Sequence, residues 1–261
     1  MIDVVLAPRE YVTWGPFMIT DANLGALIST FLLVLLVAFG MKKFTLVPTR
    51  LQVIVEGAID VVYSRLLSAF GNDKDARSFL PLFVSLLFFI FIANQLTLMP
   101  FMFDILWGDA ALVRQPTSDL SGTIVLAALV VITANILSFC ASPWGHVRTF
   151  FPLDTLFRAR SFGAFFQACI DAALGLLNII GEIAKVISLS CRLFGNIFAG
   201  NVIVLVLAGI TAFTGYLVPI PFLVLSIFSG LVQAYVFTAL SMEFTLGPVL
   251  GARVYREVVK N

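Results

Sequence analysis

Four ionisable residues lie inside a stretch that is otherwise apolar. Between positions 163 and 211 the chain carries Asp171, Glu182, Lys185 and Arg192 among Ile, Leu, Val, Ala and Phe. The stretch far exceeds the ~20 residues a helix needs to cross a bilayer. An ionised group at a helix centre in a membrane costs at least about 2.5–3.5 kcal/mol, so such residues are rare and tend to serve a function. Glu182 and Lys185 stand three positions apart, a spacing that lets one helix pair them. Arg192 has no such neighbour, because Glu182 is ten residues back (192 − 182), about 15 Å along a helix. A guanidinium stays protonated at any relevant pH. Arg192 is thus a permanent cation that needs an anion from elsewhere. The chemistry open to it is electrostatic: attracting an anion at membrane depth.

Advancing ~100° per residue from Arg192 puts Lys185 about 20° away, Asn178, Ser188 and Asn196 about 40°, Asp171 about 60° and Glu182 about 80°. A polar stripe on an apolar helix faces protein, water or an ion path rather than lipid. A buried ion-pair network is the simpler reading of Glu182 and Lys185. The last apolar run, 222–250, adds Ser226, Ser229, Gln233 and Glu243. Gln233 is a neutral amide that could hydrogen-bond a guanidinium at mid-depth. Glu243 lies ten residues further on (243 − 233), toward the inner surface. A carboxylate for Arg192 is therefore expected from another subunit.

The rest of the chain must hold these helices in a membrane. Of 261 residues, 60% are hydrophobic and 12% charged, a balance that excludes a soluble domain of this length. The mean hydropathy is +1.04. The net charge of +1 gives no basic bias toward nucleic acid, and none is expected as a partner. Cys140, Cys169 and Cys191 all lie in apolar segments without metal-ligand or disulfide spacing. No metal or cofactor is expected. The start lacks a basic stretch followed by an apolar one, so no cleavable signal peptide is expected.

The expected fold class is an all-α integral membrane protein. It has about five membrane helices, one interfacial amphipathic helix and a long C-terminal helix hairpin. Residues 1–22 read as an outer tail or interfacial segment. Spans are expected at 23–41, 79–103, 120–141, 163–211 and 222–250. Residues 49–70 repeat apolar side chains at helical spacing (Val53, Ile54, Ala58, Val61, Val62, Leu66) between Arg50, Glu56, Asp60 and Arg65, the pattern of a helix lying in the interface. Asn72 to Arg77 read as a charged loop, and 143–162 as an inner loop that leaves His146 at the surface. The positive-inside rule puts Lys42, Lys43, Arg50, Arg65, Lys74, Arg77, Arg148, Arg158, Arg160, Arg253, Arg256 and Lys260 on the inner side and only Arg9 and Arg114 outside. The N-terminus is then outside and the C-terminus inside. Three regions follow: the tail 1–22, the spans and interfacial helix 23–162, and an ion-translocating hairpin with its tail, 163–261.

Residues 190–200, SCRLFGNIFAG, resemble the signature of subunit a of F-type ATP synthases, the membrane stator that faces the rotor ring. Residues 232–237 (VQAYVF), 94–100 (NQLTLMP) and 116–120 (PTSDL) resemble further motifs of that family, and the similarity covers most of the chain. The resemblance implies a tilted hairpin along a c-type rotor ring, peripheral-stalk partners and a place in the whole synthase complex within membrane lipid. It implies an energy-coupling membrane, foremost the bacterial cytoplasmic membrane, with the mitochondrial inner and thylakoid membranes as alternatives. Arg192 would be the essential arginine, attracting an ionised rotor carboxylate and blocking a direct leak between two offset half-channels. Gln233 would assist it and Asn196 would shape the site. The subunit would be non-catalytic, and the chain has no GxxxxGK[ST] phosphate loop.

The chain departs from the family at three positions. Asn201 and Ser226 stand where a carboxylate or histidine is usual in the outer half-channel, and Thr97 stands where an acid is usual. The candidate ion path comprises Gln233, Asn196, Asn201, Ser226, Thr97, Asp119, Asp171, Glu182, Lys185 and Glu243. Protons are the expected ion, with sodium as the alternative. A secondary transporter binding an anion at Arg192 is the competing class. It would be expected to show internal repeats and paired broken helices, which the sequence lacks. An intramembrane enzyme finds no His or Cys constellation to support it.

Overall fold

The computed structural model describes residues 10–14, 17–40, 49–96, 106–107, 110–111, 116–150, 162–210 and 219–260. Seven helices run through these residues: α1 (Asp21–Gly40), α2 (Arg50–Phe70), α3 (Asp73–Gln95), α4 (Leu120–Ala141), α5 (Pro143–Phe150), α6 (Phe162–Ile210) and α7 (Pro219–Lys260). Two small antiparallel hairpins accompany them, β1 (Glu10–Trp14) with β2 (Phe17–Thr20), and β3 (Leu106–Trp107) with β4 (Ala110–Ala111). The first lies in the stretch expected to be an outer tail or interfacial segment. Arg9, Lys42, Lys43, Thr97, Arg114, Arg158 and Arg160 lie outside the described residues.

The protein is an all-α integral membrane protein. Among the described residues, four helices contain stretches long and apolar enough to cross a bilayer: Asp73–Gln95, Leu120–Ala141, Phe166–Gly200 and Ile220–Val254. The apolar part of α1, Asn23–Ala38, is shorter. α6 has 49 residues and α7 has 42, each about twice the ~20 that a perpendicular crossing takes. On α4 the buried side carries Ala127, Val130, Ala134 and Ser138, while Val125, Leu129, Ile132, Ile136 and Phe139 are exposed. Small residues inside and large apolar ones outside is the order that lipid favours, because lipid solvates leucine as well as a protein core does.

Three expectations are corrected. The residues Asn72 to Arg77 are not a loop but the cap and opening turns of α3. Gly71, at φ 65°, ends α2 and donates its N–H to the Leu67 carbonyl. Asn72 then caps α3 by accepting from the Lys74 N–H at 3.2 Å, and Asp73 and Asp75 sit at the positive end of the helix. Asp73 is held by the Tyr63 hydroxyl and by Arg77 Nε, 2.9 Å from either carboxylate oxygen. Second, the start of the inner loop is helical: Ser142 Oγ accepts from the Gly145 N–H at 3.3 Å and Pro143 occupies the first turn, where its missing N–H costs nothing. Third, α7 begins at Pro219, three residues before the expected start (222 − 219), and runs to Lys260, ten residues beyond the expected end (260 − 250). On α2 the apolar positions also divide: Val62 and Leu66 are buried, whereas Val53, Ile54 and Val61 are exposed.

The chain forms two compact units. One comprises Met1–Thr123 with Cys191–Thr238, the other Ile124–Ser190 with Ala239–Asn261. In the first, α3 packs against both α1 and α2, with Phe83, Ile90, Leu193 and Phe237 in the core. In the second, Ala127, Val131, Ala134, Leu189, Leu246 and Val249 are buried.

Candidate functional site

In the first unit, Leu193 and Ile197 are one turn apart on α6 and buried, which fixes the face that this segment turns inward. Arg192, about 100° away from Leu193, is exposed. Among the described residues no hydrogen bond or ion pair engages its guanidinium. Asn196, one turn further, locks α6 to α7. Its Oδ1 accepts from Ser229 Oγ at 2.6 Å, and its Nδ2 donates to the Ser229 carbonyl at 3.4 Å.

α3 reaches α7 at the next residue. Asn94 Nδ2 donates to the Gly230 carbonyl at 3.2 Å, and Gln95 Nε2 donates to the Ile227 carbonyl at 3.1 Å. Asn94 Oδ1 in turn accepts from Thr117 Oγ1 at 3.2 Å. Gly230 permits this crossing. A Cβ there would stand 2.7 Å from Gln95 Nε2 and 3.3 Å from Asn94 Cβ. Beside the crossing lies a cavity of about 170 Å³, with Asn94, Asn196, Ser226 and Ser229 as its polar lining and Ile203, Phe222 and Leu225 among its apolar lining. Gln233 is 6% exposed, and its Nε2 has no hydrogen-bond partner among the described residues. Among the described residues no hydrogen bond joins it to Arg192. Two residues on, Tyr235 accepts from Arg65 Nη2 at 3.2 Å, which ties α2 to α7.

The second unit holds a separate polar cluster. Lys185 Nζ donates to Glu182 Oε1 at 2.6 Å, the pair expected from their spacing. Asn135 of α4 donates to Glu182 Oε2 at 3.1 Å, so both carboxylate oxygens are engaged. Lys185 Nζ also stands 5.3 Å from the centre of the Phe244 ring on α7. Asn178 Nδ2 donates to the Thr149 carbonyl at 2.9 Å and fastens α5 to α6. His146 on α5 is half-buried, with Nδ1 3.0 Å from Ser138 Oγ. It is a packed group rather than the surface histidine expected. Burial holds its pKa below the ordinary imidazole value, and the Glu182 carboxylate partly opposes that shift.

Of the candidate ion-path residues, Asn196 and Ser226 meet at the cavity, and Glu182 and Lys185 meet in the second cluster. Asp171 accepts from Gln167 Nε2 at 3.3 Å, and Glu243 is exposed. Asp119 caps α4, accepting from the Ser121 N–H at 3.2 Å and from its hydroxyl. Asn201 lies within α6, and Thr97 is outside the described residues. The roles of Ser229, Asn94, Asn135, Ser138 and His146 were not foreseen. Their only signal was a polar residue within or beside an apolar run, which does not name its partner.

The sequence model of the family described as ATP synthase A chain matches residues 24–245, a span that includes Arg192, the cavity and the Glu182–Lys185 pair. The chain belongs to this family. It is 30% identical over 240 residues to ATP synthase subunit a 2 of Bradyrhizobium sp. (strain BTAi1), covering 91% of this chain and 92% of that one. It is 29% identical over 246 residues to ATP synthase subunit a of Moorella thermoacetica, covering 94% and 97%. It is likewise 29% identical over 242 residues to ATP synthase subunit a of Gloeobacter violaceus, covering 90% and 87%. This member of the family is therefore a membrane-sector subunit of ATP synthase and part of that complex.

Proposed function

We propose that the subunit passes ions between the two sides of the membrane and the carboxylates of a c-type rotor ring, without itself catalysing ATP chemistry. The observation that carries this reading is Arg192: an exposed, permanently charged group, unpaired among the described residues, one turn from a polar cavity. A rotor carboxylate 4 Å away would be held by about 4 kcal/mol at an effective dielectric of about 20. That energy favours the ionised form beside Arg192, yet it is small enough for thermal exchange. Taking up a proton neutralises the carboxylate, removes the attraction and lets the rotor subunit turn into lipid. A lysine here could lose its proton on desolvation, whereas arginine cannot. The fixed charge also blocks direct cation leak between two offset half-channels.

The cavity has room for about five waters at ~30 Å³ each, and its amides and hydroxyls can both donate and accept. We assign it to the outer half-channel, together with Asn201 and Thr97, so that water rather than a titrating side chain carries the proton past the positions of Ser226 and Asn196. Asp119, engaged in its cap, lies on that side. Gln233 has a donor unused among the described residues and is assigned to assist Arg192. Asp171, Glu182, Lys185 and Glu243 belong to the inner half-channel. Residues 163–261 form the translocating hairpin, tilted along the ring, with peripheral-stalk subunits holding the stator still. The N-terminus faces outward and the C-terminus inward in the energy-coupling membrane, bacterial cytoplasmic in the first instance.

The deciding experiment is Arg192→Ala in the assembled complex, reconstituted in liposomes and read for ATP-driven pumping with and without sodium. Assembly with pumping abolished is expected, and wild-type pumping without sodium identifies the proton. Normal pumping by the variant would remove Arg192 from the mechanism.

A further inference from the structure

His146 has no place in the ion path outlined above, yet it is wired to it. Its ring lies edge-on to Phe139 and Phe150, with centroids 6.1 and 5.1 Å away. Ser138 Oγ donates its one proton to the Pro248 carbonyl at 3.1 Å, so in the 3.0 Å contact between Ser138 and His146 the donor must be Nδ1–H. That fixes the neutral tautomer and leaves Nε2 as the atom that can take a second proton. Three residues before Ser138, on the same side of α4, Asn135 holds Glu182 at 3.1 Å. One helix face therefore carries both the imidazole's acceptor and the carboxylate's donor.

The charged and titratable groups that the surrounding elements bring are Arg148 on α5, Cys140 on α4, Glu182 and Lys185 on α6, and Glu243 and Arg253 on α7. Of these, Glu182 is the one whose charge acts on the imidazole. The carboxylate already serves Lys185 and Asn135, so a cation forming at His146, on which its charge already acts, competes with both for it.

We propose that His146 is a positioning residue that sets the inner-side pH response of ion translocation: its protonation draws Glu182 away from Lys185 and Asn135 and slows passage through this cluster. The inference rests on the ion-translocation reading given above. The proton comes from water on the inner side and binds Nε2, and no other covalent bond changes. Because burial disfavours the imidazolium, the response lies on the acid side of the ordinary imidazole range.

The test uses the whole complex in liposomes with His146→Gln, whose side chain can still donate to Ser138. ATP-driven pumping is measured from about pH 8 to about pH 5 on the inner side, across the imidazole range. The ratio of variant to wild type cancels the pH response of the catalytic head. The ratio is expected to be near one at the alkaline end and to rise severalfold at the acid end. A flat ratio overturns the proposal. Should His146→Gln not assemble, Ser138→Ala keeps the imidazole but removes an acceptor that favours its charged form. The acid fall is then expected at lower pH, and an unmoved midpoint overturns the proposal equally. Failure of the underlying reading shows separately, as pumping that persists in Arg192→Ala.

Discussion

Gly230→Ala tests the crossing of α3 over α7 and the cavity beside it. The new methyl would stand 2.7 Å from Gln95 Nε2, closer than a carbon and a nitrogen can sit, so the Gln95 amide must leave. Its hydrogen bond to the Ile227 carbonyl goes with it, a loss of about 1 kcal/mol. The 3.3 Å approach to Asn94 Cβ involves a carbon bonded directly to the backbone, so α3 must also give way, at about 1–2 kcal/mol for a modest overpacking. Against this, alanine favours a helix interior over glycine by about 1 kcal/mol. The net is a destabilisation of about 1–2 kcal/mol. Pumping should fall as well, because the methyl disturbs residues that line the cavity. The assay is retention of the subunit in the purified complex over a temperature ramp, with pumping read in parallel. Adding Gln95→Ala removes the closest obstacle but not the hydrogen-bond loss, and should recover only the part due to displacing the amide. A Gly230→Ala subunit as stable as wild type, or a double variant that recovers everything, would refute the geometry of the crossing.

Glu182→Gln leaves Lys185 charged and about three-quarters buried without its anion, and should destabilise the subunit by roughly 1–3 kcal/mol. Glu182→Gln with Lys185→Met should be closer to wild type than the single change, because the stranded charge is gone; thermal retention in the complex separates the two. Gly71→Ala should cost about 1 kcal/mol because φ 65° is left-handed, and Gly71→Asn should cost less, as read by protease sensitivity of the α2–α3 junction. For His146 the folded pKa is depressed below 6.5, so its contribution to stability is complete above that value and lost as pH falls through the folded pKa. Melting of the wild-type complex should therefore weaken further on acidification than that of His146→Gln.

Much of this protein was legible because a membrane imposes few and strict rules. Long apolar runs in α3, α4, α6 and α7 had to be helices, since lipid offers no partner for free backbone groups. The i, i+3 spacing of Glu182 and Lys185 gave their pair, because one helix sets that geometry locally. Arg192 stood out for the same reason inverted: no carboxylate lay within its helical reach. The charged run Asn72 to Arg77 misled because charge signals a loop and a helix N-terminus alike. Only the cap at Asn72, which follows directly from the left-handed Gly71, decides between them.

Pairings between helices were a different matter. Nothing local distinguishes Asn94, which spans α3 and α7, from Asn135, which meets Glu182. Each is an amide inside an apolar run, and its partner lies 136 and 47 positions away respectively. His146 looked like a surface group because eight residues of polar and aromatic sequence do not reveal that the imidazole turns toward Ser138 between two rings. The sequence by itself determined which segments enter the membrane, the local ion pair and the cation left over, because solvent preference and helical periodicity act within a segment. Tertiary structure alone decided the cavity, the crossing at Gly230 and the link from His146 to Glu182. Those depend on which faces of distant helices meet, and that is fixed by packing across the chain.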